Sequence, residues 1–261
     1  FPFEKNKDSV GTVVIEVIRN MYPNSEFFQT IKETCDREGI VLIFDEITSG
    51  FRLNSAGAHI KFGSSAKNSD DNSAAKGCSY AFEPDIAVFA KAMTNGYPMS
   101  AIIGKKEVMN FAQDTFISSL YWTESIGTTA TLATIRKIIN EDVPSYTEAL
   151  GVKAQSIWTE AANTNGLNIK LTGPVPQLSI FSFDYDNSLE LKTLFNQEML
   201  KRGFLTTTAF YPSFAHKETH LLNYEVAVNE VFQVIKDAIQ KNRVGLTIEG
   251  PICHDGFKRL T

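Results

Sequence analysis

The chain has 261 residues, 43% of them hydrophobic, so it can bury a sizeable core in one large or two smaller domains. Its formal net charge is -5 and no block of Lys and Arg stands out, which argues against nucleic acid or an anionic membrane as the main partner. Three widely spaced cysteines are typical of reduced thiols in a cytoplasmic protein. No apolar run approaches the length of a membrane span.

The first part of the chain alternates strands and helices. A β-branched segment at 12–17 predicts a short strand. Ser25 is a suitable N-cap for a helix over 25–38, and Gly39 is a suitable residue to end it. The apolar run that follows predicts a buried strand over 40–46. Strand, helix and strand together predict a βαβ unit, which is right-handed in nearly all proteins.

A polar segment at 64–81 interrupts this pattern, because it has almost no large apolar residues and no period. It predicts a loop inserted between two strands. Such a loop could act as a lid, but a plain solvated insertion is the more common behaviour of long loops.

Regular structure is predicted again after the loop. Strands are expected at 86–90 and 101–104, a β-like segment at 115–121, and helices at 105–112 and 124–140. A change of character near 142–145 predicts a domain boundary, which divides the chain into 1–143 and 144–261. In the second domain we expect helices and two strand regions, the first of them edge-like and broken by Gly and Pro (helices 146–164, 189–202 and 218–241; strand regions 168–183 and 204–210).

Lys91 follows directly after the apolar segment 86–90, at the predicted carboxyl end of that strand. Partial burial of an amine in that place lowers the pKa of a lysine toward the range in which it is a nucleophile. The alternative is a surface lysine whose amine reaches past the sheet edge into water, as most strand-end lysines do. Position alone leaves both interpretations open.

Asp45 and Glu46 stand at the end of the second predicted strand, where open α/β sheets build their ligand sites. Two acids in that place could also cap the next turn or bind a divalent metal. A metal site would need further ligands nearby, and the following segment offers only Asn54 and His59. A metal is therefore disfavoured, and the acids are more informative together with Lys91.

An acid and a lysine at the ends of neighbouring buried strands meet the needs of pyridoxal phosphate (PLP). The lysine forms a Schiff base with the cofactor aldehyde, and the carboxylate keeps the pyridine nitrogen protonated so that the ring withdraws electrons. Three segments then resemble the class III, fold-type I PLP-dependent aminotransferases, and in particular the glutamate-1-semialdehyde aminomutase branch. They are Leu-Ile-Phe-Asp-Glu-Ile-Thr-Ser-Gly-Phe-Arg (42–52), Glu-Pro-Asp-Ile-Ala-Val-Phe-Ala-Lys-Ala-Met-Thr-Asn-Gly-Tyr-Pro (83–98) and Ala-Ile-Ile-Gly (101–104).

The resemblance implies a role for each matching residue. Lys91 would be the Schiff-base lysine and would move the proton between the substrate Cα and the cofactor C4′ carbon. Asp45 would pair with the pyridinium nitrogen, and Ile47 would pack against one face of the ring. Thr123 would reach the phosphate of the neighbouring subunit's cofactor, which implies a homodimer with shared sites. Arg52 would order its turn.

The resemblance also implies an α/β fold. Residues 1–143 would be part of the PLP-binding large domain, a mostly parallel sheet with flanking helices, and 144–261 a smaller α+β C-terminal domain. In that family the phosphate-binding loop, the ring-stacking aromatic residue and most substrate-binding groups precede the strand that corresponds to 12–17. They are therefore expected before residue 1.

Two functions follow from these observations. The first is a cytoplasmic PLP-dependent aminotransferase or aminomutase that acts on a small amine and carbonyl compound, a semialdehyde or an amino sugar among the candidates, with no metal, nucleic acid or membrane involved. The second is a truncated and catalytically incompetent fragment, or a partner half, without the phosphate-binding segment. A structural role for Lys91 in an unrelated α/β protein ranks below both. In the second domain, most aromatic residues are expected in the core and His216 at a helix start.

Overall fold

The structure, a computed structural model, describes residues 9–18, 25–63, 83–118, 120, 123–173 and 175–254. By its internal contacts the chain divides into two units, Phe1–Ser145 and Tyr146–Thr261. The predicted loop at 64–81 lies outside the described residues, so the structure does not test its role as a lid. Cys35 and Cys253 are free thiols. Within the described ranges, no helix is both long and apolar enough to cross a membrane.

A four-stranded sheet with the order β1-β2-β3-β4 forms the centre of the first unit. Strands β1, β2 and β3 run parallel to one another, and β4 runs antiparallel to β3. The strands are β1 (Thr12–Glu16), β2 (Val41–Asp45), β3 (Ile86–Phe89) and β4 (Ala101–Gly104). All four lie where the sequence predicts strands, and the predicted α/β sheet is confirmed. Because parallel strands end at the same edge, this sheet gathers the residues that follow β1, β2 and β3.

Helix α1 (Ser25–Glu38) connects β1 to β2 and completes the predicted βαβ unit. Its apolar residues recur at helical spacing, so Phe28 and Cys35 are both buried. The ring of Phe28 meets the ring of Phe44 on β2 edge to face, with 5.8 Å between centroids. The helix ends at Gly39, whose φ of 67° is a left-handed conformation that glycine adopts without steric cost.

Three further helices belong to the first unit: α2 (Ala58–Gly63), α3 (Lys106–Met109) and α4 (Ile126–Asn140). Helix α2 was not predicted, because six residues are too few to show a period. Helix α3 continues into the 3-10 helix Asn110–Asp114, close to the predicted helix. Helix α4 packs Ile135 against a small core that includes Phe89 and Met93, and thereby covers the end of β3.

The β-like segment predicted at 115–121 was wrong as far as the structure describes it. Residues 115–118 are irregular, and Phe116 is 96% exposed. The apolar residues in this segment suggested a strand, but the described backbone here forms no ladder with another strand.

The second unit contains a three-stranded antiparallel sheet of β5 (Ile169–Thr172), β6 (Ser179–Phe183) and β7 (Ala209–Phe210). The single interrupted strand predicted over 168–183 is wrong, since this region makes two strands that pair with each other. Gly173, with φ of 84°, ends the first of them. The strand predicted over 204–210 forms only at its last two residues, and the remainder is a loop.

Helices α5 to α8 surround an aromatic core in the second unit. Trp158, Phe181, Phe195 and Phe232 are each at most 1% exposed. Phe181 contacts the other three rings at centroid distances of 4.9 to 6.0 Å. Burial of one such ring contributes about 1.5–3 kcal/mol, so this cluster dominates the stability of the unit. The helices are α5 (Val143–Asn165), α6 (Ser188–Lys201), α7 (Glu218–Gln240) and α8 (Val244–Thr247).

Candidate active site at the carboxyl edge of the first sheet

Asp45 is the last residue of β2 and therefore lies at the carboxyl edge of the sheet. It pairs in register with Glu16 on β1 and with Val88 on β3. Its half-buried carboxylate accepts a hydrogen bond from the backbone N–H of Ile47 through Oδ1, at 2.9 Å. Its other oxygen, Oδ2, has no hydrogen-bond partner among the residues that the structure describes. Within the described ranges, one acceptor of Asp45 is therefore available at the edge of the sheet.

Glu46, the neighbouring acid, is fully buried and both of its oxygens are used. Its Oε2 accepts a hydrogen bond from the Ser49 hydroxyl at 2.5 Å. Its Oε1 lies 2.8 Å from the backbone nitrogen and 2.7 Å from Nδ1 of His59 on α2. This carboxylate therefore joins the turn after β2 to helix α2, a structural role that matches the alternative of an acid that caps the next turn.

The turn after β2 packs closely against the end of β3. A Cβ atom added at Gly50 would lie 2.7 Å from a ring carbon of Phe89 and 2.8 Å from the carbonyl oxygen of Glu46, so only glycine fits there. The next residue, Phe51, adopts φ of 59° and places its ring 5.4 Å from that of Phe89. The turn that carries Ile47 is thus held in place by β3.

Lys91 begins a short 3-10 helix, Lys91–Met93, immediately beyond β3. Its backbone φ is 48°, in the left-handed region that a residue with a side chain rarely adopts. Its carbonyl oxygen accepts hydrogen bonds from the N–H groups of Thr94 and Asn95, at 3.3 and 3.0 Å, which hold this conformation. Such a conformation costs about 1–3 kcal/mol and is found most often at functional sites.

The amine of Lys91 reaches back to the turn that follows Asp45. Its Nζ donates a hydrogen bond to Oγ1 of Thr48 at 3.0 Å. The predicted partial burial of Lys91 is not observed, because the residue is exposed. The 3-10 helix directs the side chain past the end of the sheet and into solvent, as in the alternative interpretation of this residue. No local sequence pattern indicates Thr48 as a partner, since the contact depends on how β2 and β3 pair.

Asp85 fixes the start of β3, the strand that precedes Lys91. Its Oδ2 accepts a hydrogen bond from the backbone N–H of Leu42, and its Oδ1 one from Nζ of Lys105, both at 2.9 Å. Burial alone would raise the pKa of this carboxyl, but these two donors outweigh burial and hold the pKa of Asp85 below its usual value. Asp85 therefore links β2, β3 and the residue that follows β4.

The remaining predicted site residues lie in two places. Ile47 is half-buried in the turn next to Asp45. Thr123 is exposed in a turn that precedes α4, where Glu124 caps the helix by accepting hydrogen bonds from the N–H groups of Ile126 and Gly127. Among the described residues, no hydrogen bond joins Thr123 to Lys91, Asp45 or Ile47, so its predicted role toward a partner subunit is untested.

Together these residues place an accessible amine, a carboxylate oxygen and an apolar side chain at one sheet edge. An accessible amine at the same sheet edge as a carboxylate is suited to covalent chemistry with a carbonyl compound. It also suits a cofactor whose aldehyde needs the amine and whose ring nitrogen needs the acid.

Solved structures with the same fold include proteins that hold PLP. The FumI protein of Sphingopyxis sp. MTA144, in its PLP internal aldimine form, matches with a TM-score of 0.80 and 21% identity over 92% of this chain and 55% of that one. A transaminase with PLP bound matches with a TM-score of 0.73 and 20% identity over 90% of this chain and 55% of that one. At this identity the likeness shows the fold, which is that of the fold-type I PLP-dependent transferases, as predicted.

The family follows from the sequence. The family model for class-III aminotransferases matches residues 3–208, and the chain belongs to this family, whose enzymes use PLP. A 3-aminobutyryl-CoA aminotransferase of Cloacimonas acidaminovorans is 25% identical over 89% of this chain and 55% of its own length. A glutamate-1-semialdehyde 2,1-aminomutase of Caldicellulosiruptor saccharolyticus is 29% identical over 80% of this chain and 47% of its own length. The predicted resemblance is confirmed, and the chain spans about half the length of the curated relatives it matches.

Proposed function

We propose that this chain supplies the cofactor lysine of a PLP-dependent aminotransferase or aminomutase, and that this lysine is Lys91. One observation carries the proposal. The Lys91 amine, from the end of β3, lies 3.0 Å from the hydroxyl of Thr48 in the turn that begins with Asp45 at the end of β2. An amine and a carboxylate from neighbouring parallel strands are thus held at one edge of the sheet.

The described residues fit what the cofactor requires. The amine of Lys91 is exposed, so an aldehyde can reach it. Asp45 keeps one oxygen without a partner among the described residues, and that oxygen can accept a hydrogen bond from a protonated ring nitrogen. Ile47, half-buried two residues on, offers an apolar surface for a ring face. When bound, PLP supplies an aldehyde for amines and a ring that withdraws electrons from the reacting carbon.

Each of these residues has a role in the proposed reaction. Lys91 would hold the cofactor through its amine and would also move the proton of the substrate Cα as a general base and acid. Asp45 keeps the pyridine nitrogen protonated, because a nearby carboxylate favours the charged form. Thr48 holds the lysine amine toward the turn, and Ile47 limits the tilt of the ring.

The wider organisation is part of the same proposal. Residues 1–143 act as part of the cofactor-binding large domain and 144–261 as a smaller domain. Thr123 contributes to the phosphate site of a second copy of the chain, so the enzyme is a homodimer. The setting is the cytoplasm. The substrate is a small amine and carbonyl pair, which includes semialdehydes and amino sugars.

Reductive trapping tests the role of Lys91. PLP is added to the chain, the visible absorption of the bound cofactor is recorded, borohydride is added and the modified peptide is identified by mass spectrometry. We expect label on Lys91, and no label in a Lys91→Ala variant. Lys106→Ala is the matched control, because Lys106 is an exposed lysine of the same unit. Label on another lysine, or absorption that survives in Lys91→Ala, would contradict the assignment.

A second candidate function is that of a partner half that does not hold the cofactor by itself. It is favoured by the share of the relatives that the chain covers, 55% and 47%. Phosphate groups account for much of the affinity for such cofactors and bind at helix N-termini. In this case the isolated chain takes up no label, whereas a longer polypeptide that contains it is labelled on Lys91. Equal labelling of both would exclude this candidate.

A further inference from the structure

The second unit contains a cleft of about 800 Å³ that the proposed function does not use. Its floor is aromatic. The rings of Phe210 and Tyr224 are nearly parallel, at 21°, and Phe204 meets Tyr224 edge to face at 5.6 Å. Tyr224 is fixed from below, since its hydroxyl oxygen accepts a hydrogen bond from Nε1 of the fully buried Trp158 at 2.9 Å. The cleft is therefore lined by aromatic rings that pack against one another.

Two histidines add N–H hydrogen-bond donors to this cleft. Nδ1 of His216 accepts a hydrogen bond from the backbone N–H of Ser213 at 3.0 Å, and Nδ1 of His220 accepts one from the N–H of Lys217 at 3.1 Å. Because a backbone N–H can only donate, each imidazole must carry its proton on Nε2. Both rings line the cleft, and in the described residues neither Nε2–H has a protein acceptor. The same tautomer leaves no Nε2 lone pair for a metal ion.

The cleft carries no formal charge. Its described lining residues include no Asp, Glu, Lys or Arg, and its other polar side chains are hydroxyls and the amide of Asn223. Burial, as the largest cause, and the neighbouring His220 lower the pKa of His216 below its usual value, which favours the neutral imidazole. The guanidinium of Arg202, in a hollow that shares Phe204 and Asn223 with the cleft, is already bonded to Glu230 at 2.8 Å and Glu198 at 3.2 Å.

These features select the chemistry of a ligand. An ionised ligand would lose its hydration in the cleft without gaining an opposite charge, which is unfavourable. A purely apolar ligand would leave the two imidazole N–H groups and the Asn223 amide without partners. An uncharged pyranose ring avoids both of these costs. Its C–H face packs on aromatic rings, while its hydroxyls accept from N–H donors and donate to an amide oxygen. We propose that this cleft binds an uncharged pyranose sugar.

Ligand-observed NMR tests the proposal with the full chain and without cofactor. Saturation transfer is measured for glucose, galactose and N-acetylglucosamine, and for glucuronate and glucose 6-phosphate at the same concentration. We expect transfer to at least one neutral sugar and roughly fivefold weaker binding of the charged ones, the effect of about 1 kcal/mol. The proposal would be overturned if none of the neutral sugars received saturation transfer, or if neutral and charged sugars bound equally.

Two variants locate the binding site. Asn223→Leu removes both the donor and the acceptor of the amide at similar size, and it should weaken binding of the neutral sugar roughly fivefold. Asn163→Leu makes the same change on an exposed position of α5 away from the cleft and should have no effect. Unchanged binding by Asn223→Leu would show that the sugar lies elsewhere.

The imidazole resonances provide an independent readout. The chain has four histidines, so long-range proton–nitrogen correlations of the rings can be assigned by single substitutions. We expect His216 and His220 to show the Nε2–H tautomer in the free protein and to shift when the neutral sugar is added. His59 and His254, which do not line the cleft, serve as internal controls. Shifts in the control rings alone would contradict the site.

Discussion

The carboxyl edge of the first sheet and the aromatic core of the second unit use their side chains in opposite ways. In the core, Trp158 and Phe232 are fully buried, and the indole N–H has its acceptor in Tyr224. At the sheet edge, Lys91 is exposed and its backbone is in an unfavourable conformation, while Asp45 keeps an oxygen without a described partner. Side chains that are buried, with their polar groups hydrogen-bonded within the chain, contribute stability. Side chains that are exposed or keep a hydrogen-bonding atom available are the candidates for chemistry.

The strongest test of this contrast is Lys91→Ala in a protein that binds the cofactor. Loss of the amine should lower the rate of proton transfer from an amine substrate by about 10² to 10⁴, the usual effect of a removed general base, while the stability of the fold changes little. Stopped-flow absorption with an added amine donor measures the rate, and urea denaturation measures the stability. A rate close to that of Lys106→Ala would place the chemistry elsewhere.

In the aromatic core, Phe232→Ala should change the stability of the fold, which Lys91→Ala leaves nearly unchanged. Removal of this fully buried ring leaves a cavity and should lower the free energy of unfolding by about 3–5 kcal/mol. Urea denaturation followed by circular dichroism checks the value. Leu222→Ala is the control, because Leu222 lies on the same helix and is 49% exposed. A loss of less than 1 kcal/mol in Phe232→Ala would mean that the cluster does not dominate the stability of the unit.

Glu46→Gln separates the two adjacent acids, because Glu46 behaves like a core residue although it stands beside Asp45. Its carboxylate accepts from Ser49 and twice from His59, and an amide cannot accept at both positions. We expect a loss of about 1–3 kcal/mol and faster hydrogen exchange at the His59 amide. Glu33→Gln, at an exposed position of α1, is the matched control. Normal exchange at His59 would show that this bond is not needed.

The smallest expected effect concerns acid stability at Asp85. Because folding lowers the pKa of this carboxyl, its contribution is present above the ordinary range of an aspartate, near 4, and is lost as the pH falls through the folded value. Asp85→Asn should therefore reduce the decline in unfolding free energy below pH 5, by about 1 kcal/mol or less. Urea titrations at several pH values measure this slope. Asp114→Asn, at an exposed position, should leave it unchanged.

Much of the first sheet was predictable from local sequence. Apolar β-branched runs marked β1, β2 and β3, and Gly39 marked the end of α1, because these signals depend only on neighbours in the chain. Position and resemblance together singled out Asp45 and Lys91. The structure adds that β2, which ends at Asp45, pairs in parallel with β3, the strand that precedes Lys91.

The missed features depend on distant contacts. The bond between Lys91 and Thr48 and that between Glu46 and His59 require the pairing of β2 with β3 and the placement of α2, which no local pattern encodes. The hairpin of β5 and β6 was mistaken for one broken strand, because Gly173 marks a turn and an interruption equally well. The sequence position left both a partly buried and an exposed Lys91 open, since a strand end does not specify where the next turn directs a side chain, and the structure has the exposed one.

The left-handed backbone of Lys91 also limits how the thermal stability of the protein can be raised without loss of the proposed chemistry. Glycine would relieve this conformation, so Lys91→Gly should melt at a higher temperature than Lys91→Ala, although neither retains the amine. A search for thermostable variants would therefore reward changes at this position that abolish the proposed chemistry. Directed evolution of this chain needs selection for amine reactivity as well as for heat resistance.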